Sequence, residues 1–286
     1  MTTDLTVSVT DGVALLTLNR PQARNAYTAQ MGQLLSQAYL DCDANNAVRA
    51  IVLTGSGDAF CAGADLSSPA SPFDAPEDED AFTASPINPA AFELSTPVIA
   101  AVNGHAIGIG LTIALQTDIR VMAADAKYAV PQVRRGVVPD CMAHWTLPRL
   151  AGTAVAADVL LTGRTFDGRE AAQMGIASRC LPAAEVLDHA LSIARDIAVN
   201  VAPTSAALSK RLLWDTVING YAPRQVADLE TQLHHQVMGS PDAREGVQAY
   251  LQRRVPRWGA TAQEAAAPTP SGRSTKKSIS GSGPPP

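Results

Sequence analysis

Two short segments place small residues where a chain could bring backbone N–H groups against a charged oxygen. Phe60-Cys61-Ala62-Gly63-Ala64-Asp65-Leu66 follows a strand-like run and a Gly-Ser-Gly turn. Asn103-Gly104-His105-Ala106-Ile107-Gly108-Ile109-Gly110 lies between a strand-like run and a helix-like run. Small residues let a ligand approach the main chain closely. A helix beginning near Gly108 leaves its first N–H groups without acceptors, pointing at any negative oxygen. Two such groups facing each other make an oxyanion hole, which stabilises charge developing on a carbonyl oxygen. Each segment taken singly reads equally well as a tight turn that serves packing alone.

The elements that must position these segments follow from periodicity. Val7 and Val9 alternate with polar residues, Asp11-Gly12 is a turn signal, and Val13 to Leu18 forms the return strand of a hairpin. Thr28 caps a helix whose buried face is Met31, Leu34, Leu35, Ala38 and Cys42. Ala50 to Thr54, Pro97 to Val102 and Asp118 to Ala123 read as strands. Gly104 to Gly110 reads as a glycine-rich turn, and a helix begins with Leu111 to Gln116. Helical patterns follow at Ala154 to Leu161 and at Gly168 to Met174, the second with Asp167 as its cap and Gly175 as its stop. Strand and helix alternate to about Leu181, which predicts an α/β domain. Beyond Pro182 the pattern is helical, and Ser240-Pro241 opens the last helix. The expected division is a core over 1–200, a helical region over 201–259 and a disordered tail over 260–286, rich in Ala, Pro, Ser and Gly. Ser67 to Pro89, with its acidic run Glu77 to Asp80, reads as a mobile surface excursion.

Composition excludes several classes. The 286 residues carry a net charge of −5 and are 46% hydrophobic, which suits a globular chain with a sizeable core and argues against nucleic-acid binding. Cys42, Cys61, Cys141 and Cys180 are far apart and form no C-x-x-C pair, so neither a disulfide framework nor a structural zinc site is expected. Val98 to Leu115 is apolar but is interrupted by Asn103, His105, three glycines and Thr112, so no membrane span is expected. Met1 to Thr10 lacks a basic region followed by an apolar run, and the expected compartment is the cytosol.

The two glycine segments occur in a longer series. Leu18-Asn19-Arg20-Pro21 with Arg24-Asn25-Ala26 precedes them, and Thr96 to Gly104 and Thr117-Asp118-Ile119-Arg120 follow. Leu147 to Gly152, Leu161 to Arg164 and Asp242 to Arg254 complete it. In this order and spacing the chain resembles the crotonase superfamily, the enoyl-CoA hydratase/isomerase family, over about Leu5 to Trp258. The resemblance implies a spiral of ββα units and a C-terminal helical region that packs between subunits. It also implies homotrimers or dimers of trimers, and an acyl-CoA thioester as ligand, with coenzyme A carried on the substrate and no separate cofactor. It assigns the two oxyanion-hole N–H groups to Ala64 and Ile109, with Ala62, Gly63, Asp65, Leu66 and Gly108 around the thioester. Ile109 stands where the family usually has glycine. The N–H survives that change, while the β-branched side chain narrows φ.

The acids and bases depart further. The family's hydratases use two glutamates, and this chain has Thr112 and Gln132 at those positions. Neither can act as a general base near neutral pH. Asp140, after Val137-Val138-Pro139, stands where hydratases usually have glycine. Dienoyl-CoA isomerases of the superfamily have an aspartate there as a proton-transfer group, and a chlorobenzoyl-CoA dehalogenase has one there as a nucleophile. An apolar pocket would raise its pKa and suit it to proton abstraction beside an enolisable thioester. The same residue also reads as a helix N-cap. The dehalogenase reading requires a histidine before Pro97, and Ile87 to Thr96 has none.

His144, one turn beyond Asp140, is a second candidate for proton transfer, or simply a packed histidine. His234-His235 point in different directions on a helix and make a poor metal pair, and no metal site is expected. Arg24 suits a CoA phosphate. Arg253, Arg254, Arg257 and Trp258 are candidates for CoA contacts or simply a solvated helix end. The leading expectation is an acyl-CoA enzyme that forms a thioester enolate, with Asp140 as acid/base and double-bond migration more natural than hydration. The alternatives are a non-catalytic acyl-CoA-binding protein and a C–C hydrolase or lyase on a bulky acyl-CoA using His144.

Overall fold

The computed structural model describes residues 3–67 and 83–261. The acidic run at 77–80 and almost all of the expected tail lie outside the described residues. The hairpin of β1 (Leu5–Thr10) and β2 (Val13–Leu18) pairs antiparallel through Asp11-Gly12. The helix α1 (Ala29–Ala44) starts at Thr28, whose hydroxyl accepts the Met31 N–H at 3.1 Å, and it buries Met31, Gly32, Leu35, Ala38, Tyr39 and Cys42. The strands β3 (Ala50–Gly55) and β5 (Val98–Val102) are buried at every position, as parallel strands covered on both faces must be.

Nine strands form two sheets among the described residues. The larger has the order β1-β2-β3-β5-β7-β9, with β7 at Ile119–Ala123 and β9 at Arg179–Leu181. All its pairings after the hairpin are parallel. The smaller sheet pairs β4 (Ala59–Cys61), β6 (His105–Ile107) and β8 (Tyr128–Ala129) in parallel. Each winding of the chain lays a strand in the large sheet and then a short one in the small sheet. The spiral of ββα units implied by the resemblance is therefore present. The large-sheet strands β1, β2, β3, β5 and β7 agree with the sequence reading, but β9 and the short strands of the small sheet do not appear in it. Gly104 to Gly110 reads as a turn, yet it contains β6, because three residues are too few to show a period.

The helix α2 (Ile109–Leu115) is buried throughout. The helix α3 (Ala143–Thr162) starts well before the expected Ala154, and Gly152 at φ 80° interrupts its helical dihedrals. The helix α4 (Gly168–Gln173) has Asp167 as its cap, the carboxylate accepting the Glu170 N–H at 2.8 Å. Four long helices follow: α5 (Ala183–Asn200), α6 (Pro203–Asn219), α7 (Pro223–Val237) and α8 (Pro241–Gln252). The helix α5 packs on β3, β5 and β7. The helix α7 buries no residue, and α8 buries only Asp242 and Ala249. No helix among the described residues is long and apolar enough to cross a membrane.

Candidate active site

The small sheet brings the two glycine segments together. Ala59 pairs with His105 and Cys61 with Ala106, so parallel β4 and β6 end at the same edge. A Cβ on Gly110 would lie 2.3 Å from the Cys61 carbonyl, so only glycine allows α2 to sit this close to β4. Gly63, at φ 102°, similarly lies against the Ile107 carbonyl.

The hydrogen-bond pattern leaves both expected N–H groups without a backbone acceptor among the described residues. Tyr27 N–H donates to Gly63 at 2.7 Å, and Asp65 N–H donates to Tyr27 at 2.9 Å. This bridge uses the neighbours of Ala64 and leaves the Ala64 N–H on its other side. Ile109 opens α2, where no intrahelical acceptor exists for the first N–H. Among the described residues neither N–H finds a backbone acceptor. Gly108 takes the unusual dihedrals, φ 55° and ψ −124°, so Ile109 enters an ordinary helical conformation. The β-branched side chain therefore does not disturb its N–H, and it lies 6% exposed.

Asp140 reaches the site across the turn at Pro131–Arg135. It is not the cap of α3. Met142 is, with no side-chain cap bond. Cys141 and Met142 both have left-handed dihedrals, φ 44° and 59°, which cost about 1 kcal/mol or more each for non-glycine residues. Two bonds hold this strained link: Cys141 N–H to the Ala84 carbonyl at 2.8 Å, and Gln116 Nε2 to the Cys141 carbonyl at 3.0 Å. The link frees the Asp140 carboxylate from capping and points it at α2. There Thr112 Oγ1 donates to Asp140 Oδ1 at 2.7 Å. The Gln132 side chain also hydrogen-bonds the carboxylate. Burial pushes the Asp140 carboxyl above the usual carboxylate range, against the opposing pull of these bonds. Thr112 Oγ1 also lies 3.2 Å from the Ile109 carbonyl. Its single proton can serve either acceptor, so an ionised Asp140 receives it. A protonated Asp140 can instead donate to the hydroxyl while that proton turns to Ile109. The pair thus accommodates both states of the acid.

The other candidates take simpler places. Asp65 is held down to about 2 by the Ser67 hydroxyl and N–H and by Arg20, whose guanidinium pairs with it at 2.8 Å. It anchors the Gly63–Ala64 loop. The N–H of Ala62 is spent on the Arg24 carbonyl at 3.0 Å. Arg24 itself and Leu66 are exposed. His144 is exposed on α3. Arg254 forms a two-point pair with Glu245, at 2.5 and 2.9 Å, and Trp258 Nε1 donates to Val199, so this part of the C-terminal cluster serves internal packing. Burial raises the Cys61 and Cys141 thiols to about 11 and about 12, so neither is a nucleophile near neutral pH. No group of three or more metal-ligating side chains is found among the described residues.

The sequence is similar to known proteins over the same span. The enoyl-CoA hydratase/isomerase family model matches residues 8–261. The chain belongs to the enoyl-CoA hydratase/isomerase family. It is 35% identical over 255 residues to the enoyl-CoA hydratase ACTT3 of Alternaria alternata, covering 89% of this chain and 85% of that one. A solved structure described as a probable enoyl-CoA hydratase/isomerase from Mycobacterium abscessus is 56% identical, with a TM-score of 0.87 over 91% of this chain and all of that one. The enoyl-CoA hydratase of Mycobacterium tuberculosis H37Rv has a TM-score of 0.81 at 29% identity, over 91% of this chain and 100% of that one. In this chain the half-buried Asp140 carboxyl is bonded to Thr112 and Gln132.

One residue at the site was not singled out from sequence. Tyr27 is the backbone partner of Ala64, and its hydroxyl is buried with no hydrogen-bond partner. In sequence it is an aromatic residue before a helix cap, with nothing to mark it as polar in function.

Proposed function

We propose that the protein moves a proton at the carbon skeleton of an acyl-CoA thioester through an enolate. The Ala64 and Ile109 N–H groups hold the thioester oxygen, and Asp140 is the acid/base. Asp140 carries the reading: it is a half-buried carboxyl of raised pKa, on a strained link, bonded to a hydroxyl that tolerates both its protonation states. One acid that takes a proton from one carbon and returns it to another favours double-bond migration. The ionised Asp140 carboxylate takes the proton, the C–H electron pair moves to the thioester oxygen, and return of that proton to a different carbon collapses the enolate and regenerates the carboxylate. Coenzyme A belongs to the substrate, and the mechanism requires no further cofactor.

Hydration is a second reading. It is favoured by the buried Gln132 Oε1, which has no partner and could accept from a water beside Asp140. The exposed apolar residues Leu213, Val247, Tyr250 and Leu251 on α6 and α8 support assembly through these helices, as a homotrimer or a dimer of trimers.

The test is α-carbon exchange in D₂O on a panel of saturated and unsaturated acyl-CoA esters, read by mass spectrometry. Exchange or product formation is expected in the wild type and is expected to vanish in Asp140→Asn. Binding of the esters without exchange or product in either protein would overturn the catalytic reading for that panel and favour a binding role.

A further inference from the structure

The helix α2 has a single polar side chain, Thr112, and it is fully buried. A threonine within a helix ordinarily satisfies its hydroxyl by bonding back to a carbonyl of the preceding turn. Thr162 does so to Asp158 at 2.6 Å, and Thr216 to Leu212 at 2.7 Å. Thr112 Oγ1 stands 3.2 Å from the Ile109 carbonyl but 2.7 Å from Asp140 Oδ1. Its short contact leaves the helix and goes to the proposed acid/base.

That contact acts on position and on charge. The Thr112 N–H donates to the Gly108 carbonyl at 3.0 Å, so the residue is fixed to the corner that presents the Ile109 N–H. Asp140 is thereby tied to the helical turn that carries one proposed oxyanion donor. A hydroxyl that donates to a carboxylate also favours the ionised form, against the effect of burial. Resting on the acyl-CoA reading above, we propose that Thr112 is a positioning residue for the acid/base: its hydroxyl fixes the Asp140 carboxylate against the first turn of α2 and stabilises the ionised form that takes the proton. Gln132 makes a second bond to the same carboxylate from a different element.

The other titratable groups that feel the Asp140 charge are Tyr27, Cys61 and Cys141. Burial pushes the phenol above its ordinary range and the two thiols to about 11 and about 12, so all three stay neutral where a carboxyl titrates. Arg134 and Arg135 on the Gln132 turn are exposed, and arginines keep their charge throughout that range. His144 is exposed on α3, so the test needs a signal that belongs to Asp140 alone.

Aspartate labelled with ¹³C at its side-chain carboxyl supplies that signal, titrated by NMR in the protein without ligand. Asp140 is the resonance missing from Asp140→Asn. The wild type is compared with Thr112→Val and Thr112→Ala, which both remove the hydroxyl, and with Thr112→Ser, which restores it. The Asp140 midpoint is expected to rise by about one pH unit or more in Thr112→Val and Thr112→Ala, the size of one hydrogen bond to a charged group. Thr112→Ser is expected to bring it back toward the wild-type position. Exchange in D₂O on the acyl-CoA panel above is followed across pH with the same variants, and the acidic limb of the rate is expected to move up with the midpoint.

A threonine that served packing alone would leave midpoint and limb in place. An unmoved midpoint in either folded hydroxyl-free variant would therefore overturn the inference, and so would a shift that Thr112→Ser fails to reverse. If exchange depends on Asp140 while the midpoint ignores Thr112, this inference fails and the acyl-CoA reading stands. If no ester exchanges or reacts with the wild type, the catalytic reading fails for that panel and the inference falls with it.

Discussion

At the scale of residues, the site depends on which groups are left free. Asp140 has a raised pKa because burial disfavours its charged form. Between the unfolded value of about 3.9 and its raised folded value, the native chain holds this proton more tightly than the unfolded chain does. Stability therefore falls as pH rises through that window. Asp140→Asn cannot ionise, so it is expected to melt above the wild type at neutral pH, with the gap closing below the unfolded pKa. Thermal scans across pH read this directly, and a variant that melts lower at neutral pH would contradict it. The same residue would thus oppose stability and serve catalysis. Ile109 allows a cleaner test of the oxyanion donor. Proline is tolerated at the first position of a helix and has no N–H. Ile109→Pro is expected to keep the circular dichroism spectrum while lowering the exchange rate about a hundredfold or more. Retained exchange would remove Ile109 from the proposed hole.

At the scale of elements, the helical region is tied to the sheet by one buried cation. Lys210 on α6 donates to the Ala91 and Thr96 carbonyls, each at 2.8 Å, and pairs with Asp118 at 2.8 Å. The other Asp118 oxygen accepts Trp214 Nε1 at 2.8 Å, and Asp118 Oδ2 also receives the Val98 N–H at the start of β5. Lys210→Ala would leave a carboxylate and two carbonyls short of a donor inside the protein. It is expected to cost roughly 3–5 kcal/mol in a denaturant titration. A loss below 1 kcal/mol would mean that water replaces the amine. The short strands β4 and β6 show a different dependence. Neither is stable alone: β4 pairs with β6, and β6 with β8, in a sheet of their own.

At the scale of the whole molecule, the chain presents two unlike surfaces. The core is closed, with β3 and β5 wholly buried. The helices α6 and α7 border a cavity of about 550 Å³ lined by residues such as Leu212, Leu213, Val226 and Leu233. Leu213 is 62% exposed and Tyr250 is 83% exposed, which is unusual for large apolar side chains unless something covers them. Light scattering is expected to give three or six times the 29.8 kDa chain mass, and Leu213→Asp with Tyr250→Asp is expected to shift it toward the single chain. A wild type that runs as a single chain would leave these residues without a role in assembly.

The sequence by itself determined the long elements and the family. The hairpin, the cap at Thr28, the buried strands and the cap at Asp167 are legible because local pairing, capping and burial leave periodic or punctuated signals over several residues. The two glycine segments are legible because close backbone approach excludes nearly every side chain. The tertiary structure decided what those signals could not carry. The strands β4, β6 and β8 are too short to show a period and form only by pairing with one another. Asp140 fits a cap by residue type, but the left-handed dihedrals of Cys141 and Met142 withdraw it from the helix end and give it to Thr112. Tyr27 reads as an ordinary aromatic until the fold buries its hydroxyl against Gly32. These differences have one cause. A hydrogen bond between residues far apart in the chain depends on where the whole fold places its donor and acceptor, and neighbouring residues hold no record of that.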